Sequence, residues 1–464
     1  MTEKADFIFP SGVLICPICA QELSSFHCHG CNSEFFPLGE IPCVFTTGIQ
    51  QKNLWQHQMA MMETQGADAL EHLDYILQGY DVSPRSRERL EQAYDAMKES
   101  LEMIMGLLKD GGLRSQRSEL FEKMTVDNPT EYYHHILRDW AWDAEPSKHF
   151  KTHVNDANLQ RVLGIWPELQ PEKMLFLGAG AGRLSWDLHK TFKPQYTIAS
   201  DINPFLLICA QTLIKRRHSI TLPELYTYPQ IGYPYSKSWV MNPPDDPEGL
   251  HKNWFALGAD VWNMPLKESS VDTIVTSWLL DVTGGDVKDL IAVIDYLLKP
   301  GGYWINTGPL LYSGQLSFEL KYSAEEILDF AQMAGFELEK QSVEEVAHMA
   351  SPLNARYHHE QVFSFSARKR TEPRPVAKPG KTAEWLTPAW LVMHHQPVPQ
   401  IDFQCEMGHD FIRNVLSLVD GKRSIYLIAQ LVQPTLPPGV DAKEAVVALF
   451  GQILEQMADA PEKE

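Results

Sequence analysis

The rhythm of apolar and polar residues changes several times along the chain, and each change marks an element. Met174 to Leu177 is an unbroken apolar run of strand length. Five residues with almost no side-chain bulk follow, Gly178-Ala179-Gly180-Ala181-Gly182. A helix-like segment then leads to a second apolar run, Tyr196 to Ser200, which ends at Asp201. Short apolar runs bounded by turn residues read as strands buried on both faces, as a parallel sheet requires. The same rhythm returns downstream. Val271 to Trp278 reads as a strand ending near Asp281, and Val287 to Leu298 carries apolar residues at helical spacing. Lys299-Pro300-Gly301-Gly302 stops that helix, and Tyr303 to Asn306 begins another strand. Strand, glycine turn, helix, strand and terminal acid predict an α/β fold with a doubly wound sheet.

Other stretches have helical periodicity. Glu88 to Leu108 places Leu90, Tyr94, Met97, Leu101, Ile104 and Leu108 on one stripe with Glu and Lys between them, and Gly111-Gly112 closes it. Glu131 to Trp142 is a second, aromatic-rich helix. The methionines of these stretches, among them Met59, Met62 and Met105, read as core filling. Residues 371–381 hold three Pro, one Gly and no apolar period, the composition of a linker. Beyond it, helices are expected over Phe411 to Val419, Ile425 to Leu431 and Ala442 to Met457, with a turn at Asp420 to Ser424. The resulting division is residues 1–48, a helical region 49–150, the α/β domain 151–370, a linker 371–384 and a small helical or winged-helix-like domain 385–464.

The glycine spacing narrows the ligand. A dinucleotide fingerprint has a third glycine three residues after the second, where this chain has Arg183. The G-x-G-x-G pattern resembles the loop of S-adenosylmethionine (SAM) methyltransferases, a Rossmann-like fold. The resemblance implies cofactor contacts from Gly178, Gly180, Gly182 and Arg183, ribose contact from Asp201 and adenine contact from Asp260. A narrower resemblance begins at Trp304. Trp304-Ile305-Asn306-Thr307-Gly308-Pro309-Leu310-Leu311-Tyr312 resembles the WINLGPLLY segment of the carnosine N-methyltransferase family. Gly178 to Leu184 resembles its glycine loop, Arg138-Asp139-Trp140 its upstream RDW motif, and Tyr357-His358-His359-Glu360 its YYYE stretch.

That family moves the SAM methyl group to an imidazole nitrogen of a histidine-containing dipeptide. Asp281 stands where the family places its substrate-binding Asp, and Tyr357 is the retained aromatic, so both are candidate catalytic residues. The chemistry of Asp281 is also sensible by itself. A carboxylate that accepts the imidazole N–H fixes the tautomer and aims the other nitrogen's lone pair at the methyl carbon. The alternative for Asp281 is a helix N-cap or a surface position. Ser313 and His359 occupy substrate-binding places but depart from the family, which has His and an aromatic there. The expected change is therefore in the acceptor pocket rather than the methyl-transfer machinery. Adjacent strand residues face opposite ways, so at most one of His358 and His359 is expected to face a ligand.

The N-terminus carries separate chemistry. Cys16-Pro17-Ile18-Cys19 and Cys28-His29-Gly30-Cys31 are two C-x-x-C knuckles, able to present four thiolates to one tetrahedral Zn²⁺. With Phe36-Pro37 and Gly39-Glu40-Ile41-Pro42 they resemble Trm112-like zinc ribbons. Four Cys leave no open position, so the expected zinc is structural. The other cysteines are Cys43, Cys209 and Cys405, too few for a disulfide framework, and a reducing, cytoplasmic compartment is expected. The net charge of −20 disfavours a phosphate backbone as partner. No signal peptide or membrane span is expected. Three functions remain: an imidazole N-methyltransferase acting on a small molecule or peptide, a methyltransferase whose protein or RNA substrate docks through the ribbon or C-terminal module, and a non-catalytic SAM-binding scaffold.

Overall fold

The computed structural model describes residues 9–118, 132–144, 154–226, 231–232, 234–312, 316–371, 398, 410–420, 423–437 and 440–458. Ser313, Cys405 and most of the expected linker lie outside them. The chain divides into two compact units, Met1–Arg117 with Asp127–Pro379, and Ser118–Val126 with Gly380–Glu464.

In chain order the first unit contains β1 (Phe36–Leu38), β2 (Ile41–Cys43), α1 (Ile49–Gly79), α2 (Pro84–Asp110), α3 (Tyr133–Trp140) and α4 (Val154–Ile165). Next come β3 (Lys173–Leu177), α5 (Arg183–Phe192), β4 (Tyr196–Asp201), α6 (Pro204–Ala210), β5 (Ile220–Leu225), β6 (Ser236–Met241) and β7 (Trp254–Gly258). It ends with β8 (Val271–Ser277), α7 (Val287–Leu297), β9 (Leu298–Gly308), α8 (Ala324–Met333), β10 (Phe336–His348) and β11 (His358–Lys369). Nine of these strands form one sheet in the order β1-β2-β7-β4-β3-β8-β9-β11-β10. From β2 to β9 neighbouring strands are parallel, and β11 and β10 close one edge antiparallel. This is a doubly wound α/β sheet. The strand order reverses at β3, between β4 and β8, and the crevice outside the carboxyl ends of such strands is where this architecture takes ligands.

Strand periodicity explains the layers. Met174 and Phe176 of β3 pack with Val162 and Ile165 of α4 and Leu188 of α5. Leu175 and Leu177, the alternate positions, pack with Leu290 and Ile294 of α7 and Ile327 of α8. A continuous apolar run is thus two alternating sets, one per face. Helix starts follow local chemistry: Ser83 caps α2, Asn203 caps α6, Asp286 caps α7, and Ser323 with Glu326 forms a capping box on α8.

Two features were not legible in the sequence. β5 pairs antiparallel with β6, and the buried Glu224 of β5 accepts from the indole N–H groups of Trp142 and Trp239 at 2.9 and 2.8 Å. The N-terminal strands also join the main sheet: Cys43 of β2 pairs with Gly258 of β7. Val13, Leu14, Cys16 and Cys28 share a core with β3, β4 and α7, while Phe36 and Ile41 pack with Trp55 and Met59 of α1.

The second unit, among its described residues, contains α9 (Asp410–Ser417), α10 (Ile425–Val432) and α11 (Ala442–Ala458). Val415, Ile428, Val446 and Phe450 lie at its core. No helix among the described residues is long and apolar enough to cross a membrane.

Candidate functional site

The glycine turn shapes the site first. Gly178, Gly180 and Gly182 have φ of +67°, +57° and +81°, a region that L side chains rarely adopt. Their surroundings differ. A Cβ on Gly178 would meet Leu279 Cδ1 at 2.7 Å, and one on Gly182 would meet Ile214 and Trp254 at 3.0 and 3.1 Å. A Cβ on Gly180 meets nothing within 4 Å among the described residues. Gly178 and Gly180 line a cavity of about 630 Å³ at the sheet's switch point; Gly182 is not among its lining residues and faces the core behind the turn. That volume is within the usual range for small-ligand sites.

Asp201, at the end of β4, ties strand to turn. Its Oδ2 accepts from the Gly180 N–H at 2.7 Å and its Oδ1 from the Asn203 N–H at 2.9 Å. Burial raises its carboxyl above the usual range, and these amide donors oppose the rise. A carboxylate has about four acceptor positions, so lone pairs remain for a ligand. Asp260 follows β7 and caps a short turn, accepting from the Trp262 N–H at 3.1 Å while lining the cavity. Arg183 also lines it, but Nε donates to Asp187 at 2.7 Å and Nη1 to the Asp139 carbonyl at 3.1 Å. Its guanidinium carbon lies 5.3 Å from the Trp140 ring centroid, and the Trp140 indole donates to the Ala181 carbonyl. Arg183 therefore fastens α3 over the glycine turn.

Helix α3 brings residues to the cavity for which the sequence reading assigned no role. His135, Arg138 and Asp139 line it. Arg138 contacts Asp139 Oδ1 through Nε at 2.8 Å and Nη2 at 2.7 Å. Asn155 binds the carbonyls of both residues at 3.1 Å and fixes the end of the helix. The RDW motif was the available signal; its spatial role depends on α3 folding back over the glycine turn.

Asp281 stands on the opposite wall. It is 5% exposed and does not cap a helix, since Asp286 caps α7. Its Oδ2 accepts from the Leu311 N–H at 2.8 Å, whereas its buried Oδ1 has no hydrogen-bond partner among the described residues. Burial pushes its carboxyl upward, opposed by the Leu311 amide. Just before it, Trp278 has φ +50° at the end of β8, a strained backbone for a bulky residue. Gly308 permits this: a Cβ there would meet the Trp278 nitrogen at 2.9 Å. The Trp278 ring stacks on His348 of β10 with centroids 5.5 Å apart, and Glu360 of β11 lies beside them. Tyr357 and His359 are placed elsewhere. Both are exposed, neither lines the cavity, and their rings are 5.3 Å apart. From β11 it is the buried Glu360 that lines the site.

The four knuckle cysteines converge. Their sulfurs lie within 4.8 Å of one another, with Cys16–Cys31 and Cys19–Cys28 each at 3.5 Å. Zn–S bonds of about 2.3 Å in a tetrahedron put sulfurs about 3.8 Å apart, so the donor set fits that ion. The residue after each second cysteine is left-handed, Ala20 at φ +60° and Asn32 at +62°, so the two knuckles share one backbone form.

Part of the chain is similar to known proteins. Residues 248–369 match the model of the carnosine N-methyltransferase family. The carnosine N-methyltransferase of Mus musculus is 29% identical over 226 residues, covering 45% of this chain and 54% of the mouse protein. That of Dictyostelium discoideum is 30% identical over 203 residues, covering 40% and 43%. The chain spans about half the length of the curated relatives it matches. Among solved structures, a SAM-dependent methyltransferase from Aquifex aeolicus is 15% identical, covers 52% of this chain and 98% of its own, and has a TM-score of 0.32. The [4+2]-cyclase SpnF is 14% identical, with coverage of 50% and 88% and a TM-score of 0.35. The segment matching the family model contains Asp260, Asp281, Trp278 and Glu360; the glycine turn precedes it.

Proposed function

We propose that this chain is a SAM-dependent N-methyltransferase acting on an imidazole nitrogen of a histidine-containing small molecule or peptide. The observation that carries this reading is Asp281, a buried carboxylate that lines the cavity and whose Oδ1 has no hydrogen-bond donor among the described residues. An unpaired buried acceptor is costly unless a ligand supplies the donor. An imidazole N–H does so.

The cavity also fits the cofactor. Gly180 leaves space where a backbone-hugging ligand would lie, Asp201 offers acceptors to ribose hydroxyls, and Arg138 offers charge to a carboxylate. When bound, SAM supplies an activated methyl group on a sulfonium. The chain's work is then positional and electrostatic. Asp281 accepts the imidazole N–H, fixes the tautomer, and stabilises the positive charge that grows on the ring. The Leu311 amide holds the carboxylate in place. Ile202, Val282 and Leu311, 53–60% exposed, give the cavity an apolar rim, which suits an imidazole carried on a peptide as well as a free one. Zinc held by Cys16, Cys19, Cys28 and Cys31 would have a structural role.

Incubation with methyl-labelled SAM and a size-fractionated extract tests the reading. Label is expected on a ring nitrogen of an imidazole compound. Label on oxygen or carbon, or on nucleic acid, would overturn it.

A further inference from the structure

One residue of the loop after β8 bears on the bound cofactor; this rests on the SAM reading and not on the identity of the acceptor. Asp281-Val282-Thr283-Gly284-Gly285 leads to Asp286, the cap of α7. At one end Asp281 is tied to Leu311, which follows β9. At the other end Gly285 lies against the indole of Trp262, which follows β7. A Cβ on Gly285 would meet Trp262 Cζ2 at 2.5 Å, so only a glycine allows this approach. β8 and β7 stand three places apart in the sheet, with β3 and β4 between them. That is roughly 14 Å at about 4.8 Å per strand. The loop therefore runs across the crevice in front of the glycine turn and Asp201, and Thr283 is its midpoint.

Thr283 lines the cavity. Its hydroxyl oxygen is buried and has no hydrogen-bond partner among the described residues. Other hydroxyls of the cavity wall are engaged: Ser185 donates to the Gly182 carbonyl at 2.8 Å, and Ser200 to Met264 Sδ at 3.8 Å. A buried hydroxyl without a partner is unfavourable, and a ligand that supplies the partner removes that cost. We propose that Thr283 is a further cofactor-binding residue, whose hydroxyl hydrogen-bonds the nucleoside half of SAM between Asp201 and Asp260. A hydroxyl both donates and accepts, so it can meet a ring nitrogen or a ribose oxygen.

S-adenosylhomocysteine and 5′-methylthioadenosine share the nucleoside, and only the first carries the amino-acid end. Calorimetry on the full chain reads the binding of each without turnover. Thr283→Val keeps the branched shape and removes the hydroxyl. Both probes should weaken by the same factor, about fivefold, the range for one neutral hydrogen bond. Thr283→Ser restores the hydroxyl and should stay within about twofold of the parent. Without ligand, Thr283→Val should melt no lower than the parent, because no protein bond is lost. Unchanged affinity for both probes overturns the assignment, and so does a loss confined to S-adenosylhomocysteine, which would put the hydroxyl at the amino-acid end. A lower melting temperature of unliganded Thr283→Val overturns it too, since the hydroxyl would then serve the fold. A parent chain that binds neither probe overturns the cofactor reading and this assignment together, whereas tight binding that Thr283→Val leaves intact removes Thr283 alone.

Discussion

The glycine turn and the cysteine knuckles are both short loops with left-handed residues, but different forces hold them. The turn lies between buried strands and is fixed by hydrogen bonds: Ala179 N–H to Ser200, Gly180 N–H to Asp201, and the Trp140 indole to Ala181. The knuckles contribute Cys16 and Cys28 to the sheet's own apolar core, and their four sulfurs converge at the size of a metal cage. Backbone hydrogen bonds close the turn, whereas the knuckles gather side chains suited to a metal cross-link. Yet the regions meet. Ile15 N–H donates to Pro265, Lys267 N–H to Val13 and Val44 N–H to Gly258, so the N-terminal segment clamps the stretch that carries Asp260. The boundary expected at residue 48 is bridged in space, where β2 pairs with β7.

The largest effect should isolate the cavity chemistry from both loops. Asp281→Asn keeps size and still accepts the Leu311 amide but loses the charge. Turnover should fall by about two to four decades, with SAM affinity barely changed, in labelled-methyl assays and calorimetry. Normal turnover on the true acceptor would remove Asp281 from the reaction.

Asp201→Ala tests the turn's own fastening. It removes ligand acceptors and two amide ties together, and should weaken SAM by about 2–3 kcal/mol in calorimetry. Undiminished affinity would mean that Asp201 serves the turn alone.

Two glycines separate ligand space from packing. Gly180→Ala places a methyl in open space within the cavity, so SAM affinity should suffer more than stability. Gly178→Ala drives a methyl against Leu279 and should cost more stability, the left-handed strain of about 1–2 kcal/mol being common to both. Equal melting temperatures and equal SAM affinities would erase the distinction.

Cys16→Ser asks whether the two regions are independent. Elemental analysis should find one equivalent of zinc in the parent and less in the variant. Because the N-terminal segment clamps residues 265–267, SAM affinity should fall by about fivefold, the worth of one hydrogen bond. An unchanged affinity would make that segment a separate module.

The smallest effect concerns pH. Burial raises the Asp281 carboxyl, so the folded chain holds a proton over a range where the unfolded chain has released it. Stability is lost as pH rises through that window and stays lost above it. Asp281→Asn escapes this loss and should melt higher than the parent at pH 7.5. The gap should close as pH falls toward about 4. A variant that melts lower at pH 7.5 would show that the charge supports the fold.

The sequence by itself determined the elements whose signal is local. An apolar run followed by Gly178 to Gly182 dictates strand and turn, because only residues without side-chain bulk accept three left-handed positions in five. C-x-x-C spacing brings thiols to one point over few bonds, and helical periodicity sets α2, α7 and α11 to within a few residues. Asp281 was singled out by its resemblance to a family motif, and it lines the cavity. The tertiary structure decided what depends on segments distant in the chain. Tyr357 and His359 were expected at the acceptor, but the register of β11 against β9 and β10 leaves them exposed and buries Glu360. Arg138 and His135 reach the cavity only because α3 folds over a turn some forty residues later, held by Trp140 and Arg183. The β5–β6 pair escaped notice because Pro223 and scattered polar residues blur its alternation, and buried Glu224 is stable there only through two indoles far away in sequence or across the pair. Local sequence fixes backbone form through sterics; which side chains share a cavity is set by long-range pairing, whose energy no single segment contains.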